Sequence, residues 1–404
     1  MMMNKSIAFF LCLPLVAAAA EIEPFAVREG VGNFVRKAES GETVRVAYLG
    51  GSITEMAGWR NLTTAAFSNL WPKATFVEIP AGVGGTGSSL GVYRLGHDVL
   101  AHDPDLVFVE FAVNDRDVKA DNLQNQYDGI VRQIWMKNPR TDIVFVYTLT
   151  ERQFDDYRAG KVPNVVTATE ELVSHYGIPS VTFGPTVLKG LAAAPKERFA
   201  PDKVHPAPFG HGLYRDAVVA AFEAMRNLKG VDHSPQLAHP FAKTPLDDAR
   251  MLPITKDMLD GEWRLLGGEA DAKRVRGLEK FRRQLGEVWE GAKPGCRLHF
   301  RFRGTVVQVY DVIGPDGGQV FVTVDGERKG PYSRFDAYCW YHRPQVLYVG
   351  CMESGIHDVV IEVAETQPDR TIVGKKDEDV KSAKYDGTVF RPGAILLRGE
   401  IVND

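Results

Sequence analysis

From Val44 to about Leu228, apolar runs alternate with segments whose apolar positions recur near every third or fourth residue. VRVAYL (44–49) reads as a buried strand, followed by a helical stretch from Gly58 to Leu70. TFVEI (75–79), LVFVEF (106–111) and DIVFVYTL (142–149) read as further strands, with a short one from Pro179 to Phe183. Helical spacing covers 89–100, 122–137, 164–176 and 208–225. Continuously apolar strands alternating with helices predict a parallel sheet covered on both faces. Ligands in such sheets sit at the C-terminal ends of the strands.

The rhythm then changes. HSPQLAHPFAKTPLDD (233–248) bears prolines and has no periodicity, so 233–255 reads as a linker. Beyond it, RLHFRFRG (297–304), GQVFVTVDGE (318–327), HDVVIEV (357–363) and AILLRGEIV (394–402) alternate with period two. Short alternating strands predict an antiparallel β-sandwich over 256–404. FDAYCWYHR (335–343) reads as a strand alternating into that core, with stacking on a sugar as its functional alternative. GKKDEDVKSAK (374–384) reads as a solvated loop.

The first twenty residues stand apart. An early Lys, an apolar stretch from Ile7 to Val16 and Ala18-x-Ala20 have the layout of a cleaved secretory signal peptide. The mature chain is then expected to begin near Glu21, exported to a periplasm or the exterior, with no membrane span. Composition narrows the class further. In 404 residues, Lys plus Arg number 48 and Asp plus Glu 52, too balanced for a nucleic-acid binder. Three cysteines follow the leader, Cys296, Cys339 and Cys351, and none has C-x-x-C spacing, so a structural zinc site is not expected. Cys339 and Cys351 are left open as a bridge or as free thiols.

Four blocks carry candidate chemistry. Gly50-Gly51-Ser52-Ile53-Thr54 follows the first strand, where Ser52 either turns its hydroxyl to the expected cleft as a nucleophile, its N–H at a helix start, or is an ordinary helix N-cap. The block lacks the second glycine of a G-x-S-x-G elbow. Gly82-Val83-Gly84-Gly85-Thr86-Gly87 follows the second strand. It matches the G-x-G-x-x-G dinucleotide fingerprint, but stands after the second strand of an apparently exported chain. An oxyanion-donating glycine N–H is the other reading. Asn114, at the end of the third strand, offers a side-chain amide at the same edge or simply forms a turn. Asp202-Lys203-Val204-His205 precedes the last helix, and its carboxylate is spaced to orient the imidazole. His211, on that helix, is the rival imidazole and reads as structural.

In this order, the blocks resemble those of the SGNH (GDSL-like) hydrolases over roughly residues 43–226. The resemblance implies a flavodoxin-like three-layer α/β domain (21–232) and a two-step acyl transfer without cofactor or metal. Ser52 matches the nucleophile, and Asp202 and His205 complete the triad. The Ser52 and Gly85 N–H groups with the Asn114 side chain match the oxyanion donors, Gly84 being the off-by-one alternative. Pro80 stands where many members have an Asn at the start of the second block. Export and a second, sandwich-like domain favour an acylated carbohydrate as substrate, by expectation acetylated. Trp59, Arg60 and Arg116 are candidates to line its cleft, with an ion pair to a neighbouring Asp as the alternative for Arg116. A lysophospholipase or thioesterase uses the same residues. A glycosidase using Glu55, Glu110 or Asp115, and a non-catalytic glycan-binding protein, complete the alternatives.

Overall fold

The computed structural model describes residues 22–373 and 382–402. The leader and part of the 374–384 charge run lie outside the described residues. The first sheet contains β1 (Phe25–Ala26), β2 (Thr43–Gly50), β3 (Thr75–Gly82), β4 (Leu106–Glu110), β5 (Asp142–Tyr147) and β6 (Ser180–Thr182) in the order β1-β6-β5-β4-β2-β3. All neighbours are parallel except β1, which runs antiparallel to β6 and is too short to register in the sequence pattern.

Period-two geometry sorts the strand residues into two layers. Val46, Tyr48, Leu106, Phe108, Val144 and Val146 pack with Gly32–Glu39, Trp59–Leu70, Phe183–Ala193 and Pro208–Met225. Ala47, Leu49, Val107, Val109, Ile143 and Phe145 face Ser88–Asp98, Ala120–Lys137 and Asn164–His175. Both faces are covered, which explains the uninterrupted apolar runs.

The C-terminal region is built on a seven-stranded antiparallel sheet. Its central strands are long, Arg297–Ile313 and Arg343–Val363. A register shift between Gly304 and Val306 changes which parity faces inward. Leu298, Phe300 and Phe302 are buried before it, Val307 and Val309 after it. The bulge therefore keeps one apolar face continuous along the strand. The opposite face of the same strand carries Tyr310 and Val312. With Ala394 and Leu396 they belong to the hydrophobic cluster that contains Val92 and Tyr93 of helix Ser88–Asp98. One core thus continues from the α/β layer into the second sheet.

The expected linker is more ordered than its sequence indicates. Ala249–Pro253 is an edge strand paired with Ala394–Arg398. Upstream of it, His233 stacks on Trp135 with centroids 4.4 Å apart, and the Ala242 N–H donates to Asp128 at 2.7 Å. These anchors are tertiary, so no periodicity announces them. The described cysteines are all unpaired: Cys296 and Cys339 are buried and Cys351 is exposed.

Candidate active site

The short helix Ser52–Glu55 begins directly after β2. Beneath it lies Glu110, buried at the end of β4, which accepts hydrogen bonds from Thr54 Oγ1 at 2.7 Å and Thr148 Oγ1 at 2.5 Å. Burial pushes the Glu110 carboxyl up to about 7, opposed by these hydroxyls and by the Gly51 N–H. Glu110 thus holds the turn from below rather than facing the cleft.

Ser52 Oγ lies 2.8 Å from His205 Nε2, and His205 Nδ1 lies 2.6 Å from Asp202 Oδ2. The other Asp202 oxygen accepts the backbone N–H groups of His205 at 2.7 Å and Val204 at 2.9 Å. With the His205 ring, these donors hold the Asp202 carboxyl well below the usual carboxylate range. The loop is pinned on both sides: Glu151 N–H donates to the Lys203 carbonyl at 3.0 Å, and Ala207 N–H to the Phe199 carbonyl at 2.7 Å. The sequence spacing Asp-x-x-His therefore closes a compact turn that turns both side chains toward Ser52.

The second-block glycines border the same point. A Cβ built on Gly84 would lie 3.6 Å from Ser52 Cβ. The Gly84 N–H donates to Glu55 Oε2 at 3.2 Å, so it is already committed. Gly85 has φ +75°, a backbone state that favours glycine, with open space on its side-chain face. Asn114 lies beside Gly51, where a Cβ would come within 2.3 Å of its Oδ1. Ser52, His205, Asp202, the glycine loop and Asn114 thus converge at the C-terminal edge of β2, β3 and β4.

Other expected site residues are placed elsewhere. Trp59 is fully buried, its indole N–H donating to Thr54 Oγ1 at 3.3 Å; its ring is core, not cleft lining. Arg60 is occupied by Glu78 and by the Thr54 carbonyl. Arg116 is exposed and paired with the adjacent Asp117 at 3.0 Å. His211 is buried, its Nδ1 accepting the Trp59 N–H at 3.2 Å, and burial lowers its pKa to about 4. It is structural, as its sequence context indicates. Asp115 is buried too, and accepts from the Ser88 N–H and the Tyr127 hydroxyl.

The aromatic stretch 335–343 corrects its expectation. Arg334–His342 is a looped segment, not a strand, turned by Asp336, which accepts the Tyr338 N–H at 2.8 Å and pairs with Arg343. Phe335 and Cys339 point into a small core, while Tyr338, Trp340 and Tyr341 are exposed. Their rings border two cavities of about 670 and 640 Å³ that also touch Gly84. Period-two reading missed this because the turn signal, Asp336, sits inside an apolar run.

Sequence reading also missed the role of Glu55. Beyond Gly84, it pairs with Lys280 Nζ at 2.7 Å and accepts from Gln284 Nε2 at 3.4 Å. Both partners lie on helix Leu278–Leu285 of the C-terminal region. The second domain therefore reaches the glycine loop directly.

Nucleophile, glycine loop, Asn and Asp-x-x-His on one parallel sheet have the order and architecture of an SGNH-type hydrolase. Residues 48–213 match the model of the GDSL-like lipase/acylhydrolase family. Among solved structures, the chain is similar to a two-domain esterase (CEX) active on acetylated mannans, co-crystallized with mannopentaose. That likeness is at 21% identity, covering 91% of this chain and 94% of the other, with a TM-score of 0.68. A second structure of a two-domain esterase active on acetylated mannans aligns at 20% identity, with the same coverage and TM-score. At this identity the likeness shows a shared two-domain fold. No curated protein sequence matches the chain at a significant level.

Proposed function

We propose that this protein is an exported serine esterase that removes acyl groups, acetyl foremost, from a carbohydrate by way of an acyl-enzyme. The observation that carries the reading is the relay Ser52 Oγ–His205 Nε2–Asp202, with separations of 2.8 and 2.6 Å. His205 takes the hydroxyl proton as Ser52 Oγ attacks the ester carbonyl, and Asp202 orients the ring and supports its positive charge. The Ser52 and Gly85 N–H groups and the Asn114 amide receive the oxyanion. As the bond between the carbonyl carbon and the sugar oxygen breaks, His205 gives the proton to that oxygen, which leaves as a hydroxyl. Water, deprotonated by the same ring, attacks the acyl-enzyme and releases the acid and Ser52.

Three further observations support a carbohydrate ester. Tyr338, Trp340 and Tyr341 offer exposed rings beside the glycine loop, as sugar stacking requires. The similar two-domain structures are esterases of acetylated mannans. The leader-like first twenty residues fit an enzyme that meets polysaccharide outside the cell. A glycosidase has less support, because Glu110 and Asp115 are buried and Glu55 is engaged by Lys280.

The test is acetate release from a panel of native acetylated polysaccharides by wild type and Ser52→Ala. Release by wild type, reduced to background in the variant, is the expected result. Near wild-type hydrolysis of an activated ester by Ser52→Ala overturns the nucleophile. A preference for acyl chains above about eight carbons overturns the carbohydrate substrate in favour of a lipid one.

A further inference from the structure

The segment KRVRGLEKFRR (273–283) carries Lys273, Arg274, Arg276, Lys280, Arg282 and Arg283 against one acid, Glu279, in a chain of formal net charge -4. Most of these cations have local partners. Lys273 pairs with Glu269, Arg274 with Glu290, Lys280 with Glu55, and Arg282 lies 3.8 Å from Glu279. Arg276 and Arg283 are exposed and have no ion pair among the described residues.

Their position ties them to the ester site. Arg276 and Lys280 line the cavity of about 640 Å³ that reaches Gly84 and the Trp340 and Tyr341 rings. Lys280 and Arg283, three residues apart and so on one helix face, line a second cavity of about 470 Å³ along Pro80–Val83, with His97 and His102; its two acids are engaged, Glu55 by Lys280 and Asp98 by Arg94 and His97. The larger cavity has Arg276, Lys280, His342 and Arg343 in its wall and no Asp or Glu. Neighbouring carboxylates are already engaged: Asp336 by Arg343, Glu55 by Lys280, and Asp316 by the buried Arg391, with His342 3.6 Å away. A basic strip therefore runs beside the glycine loop, with two guanidinium groups left over.

We propose that this strip binds the carboxylates of an acidic glycan, so that the ester removed is carried on a uronate-bearing polysaccharide. The inference rests on the esterase reading and names its substrate class. A guanidinium group presents paired N–H donors that match a carboxylate, and aromatic faces beside it take the sugar ring. Repeated carboxylates along one chain engage Arg276 and Arg283 on either side of Lys280 while the acylated residue lies at Ser52. A neutral glycan would leave both guanidinium groups without a partner.

The experiment measures acetate release by the full chain from an acetylated uronate-bearing polysaccharide and an acetylated neutral one of matched acetyl content. It compares wild type with Arg276→Met/Arg283→Met. Wild type is expected to favour the acidic glycan by about tenfold in kcat/KM, carried by KM. The double variant brings that ratio toward one. Added salt raises the wild-type KM for the acidic glycan and leaves the neutral one unaffected. Equal wild-type efficiency on the two glycans overturns the inference, as does an unchanged ratio in a double variant of wild-type Tm. Should the variant melt early, the salt response of wild type alone decides: a flat response overturns it. Failure on both glycans and on 4-nitrophenyl acetate overturns the esterase reading itself. Turnover of the neutral glycan alone overturns only the acidic preference.

Discussion

Gly51 and Asn114 fit together with no room for a methyl group between them: a Cβ at 51 would lie 2.3 Å from Asn114 Oδ1. Any side chain there displaces the Asn114 amide from its place beside Ser52. Asn114→Ala is expected to lower kcat on 4-nitrophenyl acetate by about 10²–10³, or about 2.7–4 kcal/mol of barrier stabilisation. Gly51→Ala should cost a similar factor, and the double variant little more, since both remove the same donor. Additive losses in that cycle would show that the two substitutions act on separate features.

Asp202→Asn tests the relay. The asparagine oxygen keeps the turn by accepting from Val204 and His205, but its N–H₂ group faces the ring nitrogen that Asp202 Oδ2 now holds. The imidazole then adopts the wrong tautomer. Because the Asp202 side chain is half exposed, the loss in kcat is expected near about 10², below the largest losses known for buried triad acids. Unchanged kcat would remove Asp202 from the relay.

Glu110 predicts a pH effect on stability. Its carboxyl is raised to about 7 in the folded protein against an ordinary 4.5, so the folded state binds this proton more tightly than the unfolded chain. Its contribution to stability is present below pH 4.5 and is lost as pH rises to about 7, by about 3 kcal/mol. Glu110→Gln removes the titration. Urea unfolding should show the variant gaining on wild type as pH rises through that window. Parallel stability curves would mean that Glu110 ionises normally.

The Lys280–Glu55–Gly84 chain links the C-terminal region to the glycine loop. The ion pair itself is partly exposed and worth little to stability, about 0–1 kcal/mol. Glu55→Ala frees Gly84 and is expected to lower kcat on 4-nitrophenyl acetate about tenfold with Tm nearly unchanged. Glu55→Gln, which still accepts the Gly84 N–H, should recover most of that loss. If both variants behave alike, the Gly84 contact plays no part.

Much of the α/β half is legible in the sequence. Its central strands are buried on both faces, so VAYL and IVFVY stand out as unbroken apolar runs. The clustering of Ser52 with Asp202-x-x-His205 follows from their place at element ends, where local spacing fixes direction. What stayed hidden depends on partners far along the chain. Ala249–Pro253 becomes a strand only by pairing with Ala394–Arg398. Trp59 reads as cleft lining from its place after the nucleophile, yet the helix turns it inward onto Tyr48 and Phe108. The loop at 334–342 is set by one turn carboxylate, the half-buried Asp336, which hydropathy does not single out.

The core that passes from Val92 and Tyr93 through Tyr310 and Leu396 denies this molecule a hinge between its halves. The gap that Gly84 and Tyr341 both line lies along that joint seam. Cutting the chain in two there would leave each half with a bare apolar wall exposed to water.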